Sequence, residues 1–503
     1  AAKWMKIKEA KGNLHPGACL PFGMVSASSY ASTYPTGYGH KKTLSYGISH
    51  FQQSGTGHIQ RYYNFLLVTP ISGPLASVKE ESVSKESAAP GYYACNFGKI
   101  GAEITVSRHS AFHRYVFPKG EPWNLKINIG HIFMGRNALK NAKVTVGADS
   151  AKGVVTCAKN LPLYFYAQIN SPDVNVRAWQ GQKSLNEEVL EVKDGRGDFG
   201  VTFFGKSATD PVRVRIGFSF RSAEQAENNL KEELAELDFE ASRKHALGEW
   251  EKYLSRIWVK GRTHAQQQIF YTALYHSLLK PIDLIGESPF WNDDTPLYLD
   301  VATMWDVYKT QMPLILSIYP ERGRGIVESL IALYDHFSIR SPSRNAFLLD
   351  PELGPSFSQQ GWALCHQVIA HAYSIGLPSI DWKRSWPIIL KAFGDKPPVG
   401  KMTIDDSYAA SCLVPIAKEV GESASARKLE ERSKRWKNHY DSKSAKLSGR
   451  SFYQGTRWNY SYMVWHDVDE LIALHGSEEG LVEDLDILFG FSDGEQGRKT
   501  GRF

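Results

Sequence analysis

The sequence predicts a two-domain protein, an antiparallel β-sandwich followed by a partial (α/α)6 toroid. Short apolar runs that alternate with polar residues recur as far as about residue 220, which is typical of strands. The periodicity becomes helical at Ser222, and from Thr263 onward helical segments follow one another with short connections. The chain of 503 residues is also too long for one ordinary hydrophobic core.

The first domain, residues 1–221, is predicted to consist of short strands separated by Gly, Pro, Asn and Asp. The predicted strands are 63–68, 102–106, 114–117, 125–129, 154–157, 163–167 and 212–220. Their close spacing favours antiparallel pairing in a sandwich. Residues 222–260 have a helical period and few helix breakers, and we interpret them as a helical linker.

The second domain, residues 261–503, is predicted to be helical. Its predicted helices are 264–280, 304–318, 322–338, 359–375, 382–393, 404–420, 422–441, 461–475 and 478–489. Proline and glycine residues between them mark the helix ends. These about nine helices are fewer than a closed (α/α)6 toroid needs, so we expect the toroid to be incomplete in the chain as given.

Composition argues against several classes of protein. The chain has 59 basic and 53 acidic residues, a net charge of +6, and no basic stripe or nucleic-acid motif, so no nucleic-acid partner is expected. No apolar run reaches membrane-spanning length, so no membrane span is expected. The five cysteines lie far apart, which disfavours zinc knuckles and redox pairs. No signal peptide is visible, although a processed one would leave none; a secreted or periplasmic location is the expectation.

Five groups of short motifs, in order along the chain, carry a resemblance to a known family. They lie at 15–25 (His-Pro-Gly-Ala-Cys-Leu-Pro-Phe-Gly-Met-Val), at 37–38 with 47–50 and 54–57, at 270–281, at 305–310 with 313–314 and 320–321, and at 453–468. Each group alone is a weak signal, because turns and helix starts have similar composition. Turns and helix starts explain each group separately, but they do not explain why the five groups occur in this order. From His15 onward the chain resembles glycoside hydrolase family 92, the calcium-dependent α-mannosidases.

This resemblance implies an inverting exo-α-mannosidase with a Ca²⁺ cofactor and an α-mannoside as its partner. The segment 453–460 reads Tyr-Gln-Gly-Thr-Arg-Trp-Asn-Tyr, and Gln454 stands where the family usually has its catalytic acid, a Glu. A carboxamide does not deliver a proton as a carboxylic acid does. Gln454 therefore bears directly on the activity.

The resemblance also assigns candidate binding residues. Asp306 is expected to hold hydroxyls of the cleaved mannose beside Trp305; the alternative for Asp306 is a carboxylate stabilised by a helix N-terminus. Tyr34 is expected either to line the cleft or to have a surface or core role. His50 is expected either to contact the substrate or to have a structural role. The pair His466 and Asp467 is expected either near the acid and metal or in a buried helix cap. Asn459 is the candidate metal ligand, because its amide oxygen suits calcium.

Departures from the family pattern suit an anionic substrate. A phosphate leaves as an ionised monoester, so a mannose-1-phosphate diester needs no acid at position 454. Gln454 would hydrogen-bond the leaving phosphate, and Arg457 would pair with it or be an ordinary surface residue. Gln60-Arg61 occupy a segment where the family commonly has carboxylates.

The other departure concerns the catalytic base, which the family carries on a later segment in a Gly-Asn-Asp-Asp-like motif. No such motif occurs in this sequence, and the catalytic machinery is expected to be incomplete as given. The sequence therefore leaves three hypotheses: a hydrolase acting on an α-mannoside or mannosyl-phosphate glycan, a catalytically inactive mannose-binding relative, or a structural fragment.

Overall fold

The computed structural model describes residues 14–32, 36–39, 44–52, 64–73, 75, 81–131, 139–157, 162–193, 197–234, 238–261, 263–299, 301, 304–338, 361–398, 402–448 and 455–491. Contacts divide the chain into two compact units. The N-terminal unit comprises Ala1–Ala302 and Ala346–Glu352, and the C-terminal unit comprises Thr303–Asn345 and Leu353–Phe503.

The N-terminal unit contains two antiparallel sheets, whose strands are numbered in chain order. In the described residues the first sheet has eight strands, in the order β1 (Ala18–Cys19), β2 (Ser26–Tyr30), β4 (Gly47–His50), β5 (Leu67–Ser72), β10 (Trp123–Asn128), β17 (Phe199–Gly205), β14 (Asn175–Gln180) and β15 (Lys183–Ser184). The second has ten, in the order β16 (Val189–Lys193), β11 (Leu139–Val146), β12 (Ser150–Cys157), β13 (Pro162–Asn170), β18 (Val212–Ser219), β9 (Ser110–Val116), β8 (Ile100–Val106), β7 (Tyr92–Phe97), β6 (Glu81–Ala89) and β3 (Leu44–Ser45). A further antiparallel pair, β19 (Ile282–Asp283) and β20 (Tyr298–Leu299), also lies in this unit.

The alternating sequence of the strands matches their burial. On β18 the apolar residues Val212, Val214 and Ile216 are buried, whereas Arg213 and Arg215 between them are half-buried. Side chains of a strand point to opposite faces in turn, so one face enters the core and the other faces outward. Each predicted strand overlaps an observed one, although the 63–68 prediction meets β5 only at its last two residues.

Three helices, α1 (Ala223–Leu234), α2 (Phe239–Leu254) and α3 (His264–Ser277), belong to the N-terminal unit. The predicted linker, 222–260, contains α1 and α2, and both pack on strands of the ten-stranded sheet. Helix α1 approaches so closely that a Cβ atom on Gly217 would lie 2.1 Å from the carbonyl oxygen of Ala226. Only glycine allows this packing.

The C-terminal unit is helical in its described residues. Its helices are α4 (Met304–Val307), α5 (Gln311–Ile318), α6 (Pro320–His336), α7 (Leu364–Ser374), α8 (Trp382–Phe393), α9 (Met402–Glu419), α10 (Ser423–Ser433), a 3-10 helix (Lys434–His439), α11 (Arg457–Ser461), α12 (Val468–Leu474) and α13 (Glu478–Phe489), and β21 (Tyr440–Asp441) pairs with β22 (Lys446–Leu447). The predicted fold class, an antiparallel β-sandwich followed by a helical array, is confirmed. Among the described residues, no helix is both long and apolar enough to cross a bilayer.

Three predicted helices differ from the observed ones. The 304–318 segment forms two helices, because Pro313 lacks an N–H and its ring would clash with the carbonyl of residue 309 in a continuous helix. The 422–441 segment tightens into the 3-10 helix after Ser433. The 461–475 segment begins with the last residue of α11, Ser461, and is then non-helical until Val468.

A buried ion pair joins α9 to α10. Asp406 has no exposed surface, and Arg432 donates to its two carboxylate oxygens, from Nε at 2.8 Å and from Nη2 at 2.5 Å. The indole Nε1 of Trp362 donates to Asp406 at 3.1 Å, and the guanidinium of Arg432 lies 4.0 Å from the ring centroid of Phe393. Burial raises the pKa of Asp406 although Arg432 opposes this. The charged form of the Asp406 carboxylate therefore depends on its hydrogen bonds from Arg432 and Trp362.

Replacement of Arg432 by methionine is expected to lower the free energy of unfolding by about 3–5 kcal/mol, because it leaves a carboxylate buried without its cation. Chemical denaturation measures this change. Lys418→Met is the matched control, since it removes the cation of an exposed pair with Glu430 and should have no measurable effect. Adding Asp406→Leu to Arg432→Met should recover much of the loss. Wild-type stability in the Arg432→Met variant would contradict this account.

Candidate active site in the C-terminal unit

Two of the family-like motifs, 305–310 and 453–468, meet in the C-terminal unit. The ring of Trp305 on α4 stacks on that of Tyr460 on α11, with centroids 6.1 Å apart and planes at 16°. On its own segment Trp305 also stacks on Tyr308, at 6.2 Å and 26°. The aromatic contacts therefore hold together residues that lie far apart in sequence.

A third segment, at 361–362, closes over the same ring. A Cβ atom on Gly361 would lie 2.8 Å from Cε3 of Trp305, so a glycine lets the chain pass there. The next residue, Trp362, is held twice by the start of α9: its backbone N–H donates to Asp405 at 3.1 Å, and its indole donates to Asp406. Through Trp362, the buried pair of Asp406 and Arg432 is therefore connected to the segment that packs on Trp305.

Asp306 lies beside Trp305 and is exposed. Its backbone carbonyl accepts a hydrogen bond from Thr310 Oγ1 at 3.0 Å, and its side chain lies in the first turn of α4. An exposed carboxylate can accept hydrogen bonds from sugar hydroxyls. The alternative, an interaction with the N-terminus of the four-residue helix, is compatible with the same position.

A lysine surrounded by aromatic rings adjoins this pair. The ammonium of Lys309 lies over the ring of Trp465 and 5.2 Å from the ring centroids of both Tyr308 and Tyr408. Lys309 is exposed as a whole, but partial burial of its ammonium lowers its pKa to about 8, although Asp405 opposes the shift. Trp465 remains 47% exposed. We call these four residues, Lys309, Tyr308, Tyr408 and Trp465, the lysine cage.

His466 and Asp467 border the lysine cage. The imidazole of His466 lies 5.8 Å from the ring of Tyr408, and its Nε2 is 3.0 Å from the carbonyl oxygen of Ser433. Burial lowers the pKa of His466, so the ring is neutral, donates from Nε2 and keeps a lone pair on Nδ1. That Nδ1 atom has no hydrogen-bond partner within the described part of the chain. Asp467 accepts a 2.9 Å hydrogen bond from the indole of Trp436, which ties it to the core.

Asn459 and Arg457 lie on α11 and have different surroundings. The amide oxygen of Asn459 accepts from the backbone N–H of Thr456 at 2.9 Å and from its hydroxyl at 3.0 Å. As a metal ligand it would have to leave this helix cap, so the metal role stays a prediction. Arg457 is exposed, so an anionic ligand could reach it.

The calcium ion implied by the resemblance has no ligand set in the described residues. Nowhere among them do three or more His, Cys, Asp or Glu side chains form a group that could hold a metal ion. The one candidate ligand, Asn459, uses its oxygen in a helix cap. The described residues therefore do not fit the ion.

The remaining candidates lie elsewhere or outside the described residues. His50 is completely buried in the N-terminal unit; its Nδ1 lies 2.8 Å from the carbonyl oxygen of Leu66, and its Nε2 lies 3.0 Å from Nε2 of His113. Burial lowers the pKa of His50 to about 4, and both of its ring nitrogens have partners, which favours the structural one of its two predicted roles. Gln454 and Tyr34 lie outside the described residues.

Several residues of the site were not predicted. Lys309 and Trp465 stood inside the recognised motifs without an assigned role, and Tyr408, Trp362 and Asp405 were not identified. No sequence signal marked Tyr408, because the acid pair just before it, in the first turn of a predicted helix, is explained by the helix dipole alone.

A curated relative, an uncharacterized secreted glycosidase of Arthroderma benhamiae, is 27% identical over 339 residues. The match covers 60% of this chain and 44% of the relative, so the chain spans less than half of that protein's length.

Solved structures show the same fold. A family GH92 α-mannosidase from Bacteroides thetaiotaomicron matches with a TM-score of 0.82 at 20% identity, over 95% of this chain and 72% of that one; its complex with mannoimidazole gives 0.81, with the same identity and coverage. A family GH92 inverting mannosidase from the same organism matches with a TM-score of 0.76 at 18% identity, over 97% and 74% of the two chains.

Family models cover nearly the whole sequence. The glycosyl hydrolase family 92 N-terminal domain matches residues 7–219, and the glycosyl hydrolase family 92 catalytic domain matches residues 225–399 and 398–502. The chain belongs to glycosyl hydrolase family 92.

Proposed function

We propose that this protein is an inverting exo-α-mannosidase of family 92 that hydrolyses mannose-1-phosphate diester linkages. The observation that carries the proposal is the short segment 305–309. In it an exposed carboxylate, Asp306, follows the stacked ring of Trp305 and precedes Lys309, whose ammonium lies over the ring of Trp465. A carboxylate suits sugar hydroxyls, whereas a cation suits the phosphate. Gln454 in place of the family acid supports the same substrate.

The leaving group explains why glutamine is acceptable at position 454. A sugar alkoxide is a poor leaving group and needs a proton from an acid as its bond to C1 breaks. A phosphate monoester has a second pKa of about 6 and leaves as an ion. Gln454 would then only need to donate an amide hydrogen bond to a phosphate oxygen.

In the proposed reaction water attacks C1 of mannose and the C1–O bond to the phosphate breaks. A carboxylate base takes one proton from the water, the new C1–OH has the inverted configuration, and the electron pair of the broken bond leaves with the phosphate oxygen. No oxidant or reductant is involved. The base is expected on a segment that the described residues do not include.

The described residues would orient the substrate around this step. Trp305, which is half-buried, would offer an aromatic face to the C–H faces of mannose, and Asp306 would accept from its hydroxyls. Lys309 would attract the phosphate as a point charge, and Arg457 would pair with it in fork geometry.

The proposal includes calcium dependence and a secreted location, and these two parts rest on different observations. Calcium rests on the family resemblance alone; because the described residues do not fit the ion, no step is assigned to it. When bound in such a site, calcium would contact sugar hydroxyls. A secreted location is supported by the description of the Arthroderma relative as a secreted glycosidase.

The second candidate function is mannose binding without turnover. Gln454 favours it too, because a lost acid alone would leave Asp306 and Trp305 able to bind sugar. The two functions differ in one measurable respect, since only the first cleaves an activated mannosyl phosphate.

We expect the full-length protein to release mannose from a mannose-1-phosphate diester and to leave α-1,2-mannobiose essentially intact, because only the disaccharide needs an acid. Mannose release with and without a calcium chelator measures both. Cleavage of the disaccharide at a rate comparable to that of the diester would contradict the phosphodiester assignment. Binding of mannose without cleavage of either substrate would establish the inactive relative.

The Gln454→Glu variant is the matched control for that assay. It restores a carboxylic acid and should confer cleavage of α-1,2-mannobiose, since general acid catalysis contributes about 10²–10⁴-fold. Its cleavage of the phosphodiester should slow, because a carboxylate beside a phosphate repels it. A variant with unchanged selectivity would show that position 454 does not act on the leaving group.

For Lys309 we expect kcat/KM on the phosphodiester to fall as pH rises through about 8, because the ammonium loses its proton there. Lys309→Arg should abolish this alkaline decline, since a guanidinium stays charged. Lys309→Met should lower kcat/KM about tenfold at pH 7, where wild type is charged; the exposed Lys418→Met is the control. An alkaline decline that persists in Lys309→Arg would exclude Lys309 as its cause.

A further inference from the structure

Two buried histidines join the two sheets of the N-terminal unit through a direct hydrogen bond. His50 lies on β4 of the eight-stranded sheet, His113 lies on β9 of the ten-stranded sheet, and their Nε2 atoms are 3.0 Å apart. Neither side chain has any exposed surface. The contact links strands of different sheets, and the proposed function does not use it.

The other partners of the two rings determine where each proton lies. Nδ1 of His50 is 2.8 Å from the carbonyl oxygen of Leu66, which only accepts, so Nδ1 carries the proton and Nε2 keeps its lone pair. His113 then donates from Nε2, and its Nδ1 accepts from the hydroxyl of Tyr115 at 2.9 Å. In this one-way chain of hydrogen bonds both imidazoles are neutral, and each ring nitrogen has a partner.

The surroundings of the histidine pair are apolar. Val214 of β18 lies opposite His113 on one side, Ile104 of β8 lies opposite it on the other, and both are buried. The ring centroid of Phe218 is 5.2 Å from that of His50. The two imidazoles therefore lie within the hydrophobic core of the N-terminal unit.

The charged residues of the neighbouring strands point away from the histidine pair. Helix α2 packs on the outer face of the ten-stranded sheet, where its Glu240 pairs with Arg114. Strands β2, β4 and β5 contain no Asp, Glu, Lys or Arg. The thiol of Cys95 on β7 faces Tyr115 and is neutral, because burial raises its pKa to about 12. Side chains of a strand alternate between its faces, and the charged residues of β8, β9 and β18 take the outward positions: Glu103, Arg114, Arg213 and Arg215.

A proton added to the histidine pair disrupts this arrangement. If His50 takes it, both Nε2 atoms carry hydrogen and face each other, unless His113 changes tautomer and leaves the hydroxyl of Tyr115 without its acceptor. Either arrangement places a cation in an apolar core, where an unpaired charge is costly. Burial lowers the pKa of His50 to about 4. Burial, together with the adjacent His50, lowers the pKa of His113 well below its usual range.

We propose that the hydrogen bond between His50 and His113 is an acid-sensitive lock, which holds the two sheets together while both rings are neutral and opens when the pair takes up a proton. In the unfolded chain a histidine has a pKa of about 6.5, whereas in the folded unit these two stay neutral to a lower pH. The opened state therefore binds more protons over this interval, and the lock weakens as the pH falls. The lock does not depend on the proposed function.

Peptide-resolved hydrogen exchange of the full-length protein between about pH 6 and pH 4, corrected for the intrinsic exchange rate, measures the opening equilibrium constant of β4 and β9. Each of the two histidines should raise this constant by up to about tenfold per pH unit. His113→Gln keeps a donor for His50 and an acceptor for Tyr115 but does not titrate. This variant and His50→Gln should each reduce the acid dependence by nearly tenfold per pH unit. His245→Gln, at an exposed position of α2, should leave it unchanged.

The glutamine variants separate the histidine pair from other buried groups. His15 and His131 belong to the same unit, and burial lowers their pKa to about 3 and about 4, so both contribute to the acid dependence of wild type. If one glutamine variant does not fold at pH 7, as judged by circular dichroism, the other decides the result. If neither folds, the opening constants of β4 and β9 in wild type should rise more steeply on acidification than that of β14. An acid dependence that the folded variants share with wild type, or one that is equal in these three strands, would overturn the proposal.

Discussion

The carboxylate of Asp406 has no contact with solvent, and much of the C-terminal unit depends on how it is paired. Arg432 binds both of its oxygens, and Trp362 donates to one of them. Because an unpaired buried carboxylate costs several kcal/mol, α9, α10 and the segment at 361–362 are held in one arrangement. One turn along α9, Tyr408 reaches Trp465 and His466. The geometry of the site therefore follows from this pair.

In the proposed function, three kinds of group would act on different parts of a glycan. The half-buried ring of Trp305 would provide apolar surface for sugar C–H groups, Asp306 would provide an exposed acceptor, and the lysine cage would provide a cation with a pKa of about 8. Partial desolvation strengthens the attraction of that cation for an anion. Partial desolvation also raises the free-energy cost of an ammonium that has no bound anion, which is consistent with an anionic substrate.

Helices and strands were predicted well from the sequence where capping residues or an alternating apolar pattern mark them. Helix α8 begins after Asp381, whose side chain accepts from the N–H of Arg384, and ends at Gly394, as the pattern at 382–393 indicated. Strand β18 was predicted because one buried face imposes a period of two. The break in the 304–318 helix was missed although Pro313 marks it. The lysine cage was beyond sequence reasoning, because Lys309, Tyr408 and Trp465 meet only through tertiary packing. The role of Gln454 was accessible only through the family resemblance.

The central claim is that mannose binds at Asp306 and Trp305 in the C-terminal unit, and calorimetric titration with mannoimidazole tests it most directly. Asp306→Asn should weaken binding at least tenfold with an unchanged midpoint of chemical unfolding, because the exposed carboxylate contacts the ligand and not the core. Asp335→Asn, at another exposed position in the same unit, should bind as wild type does. Wild-type affinity in Asp306→Asn would contradict the account.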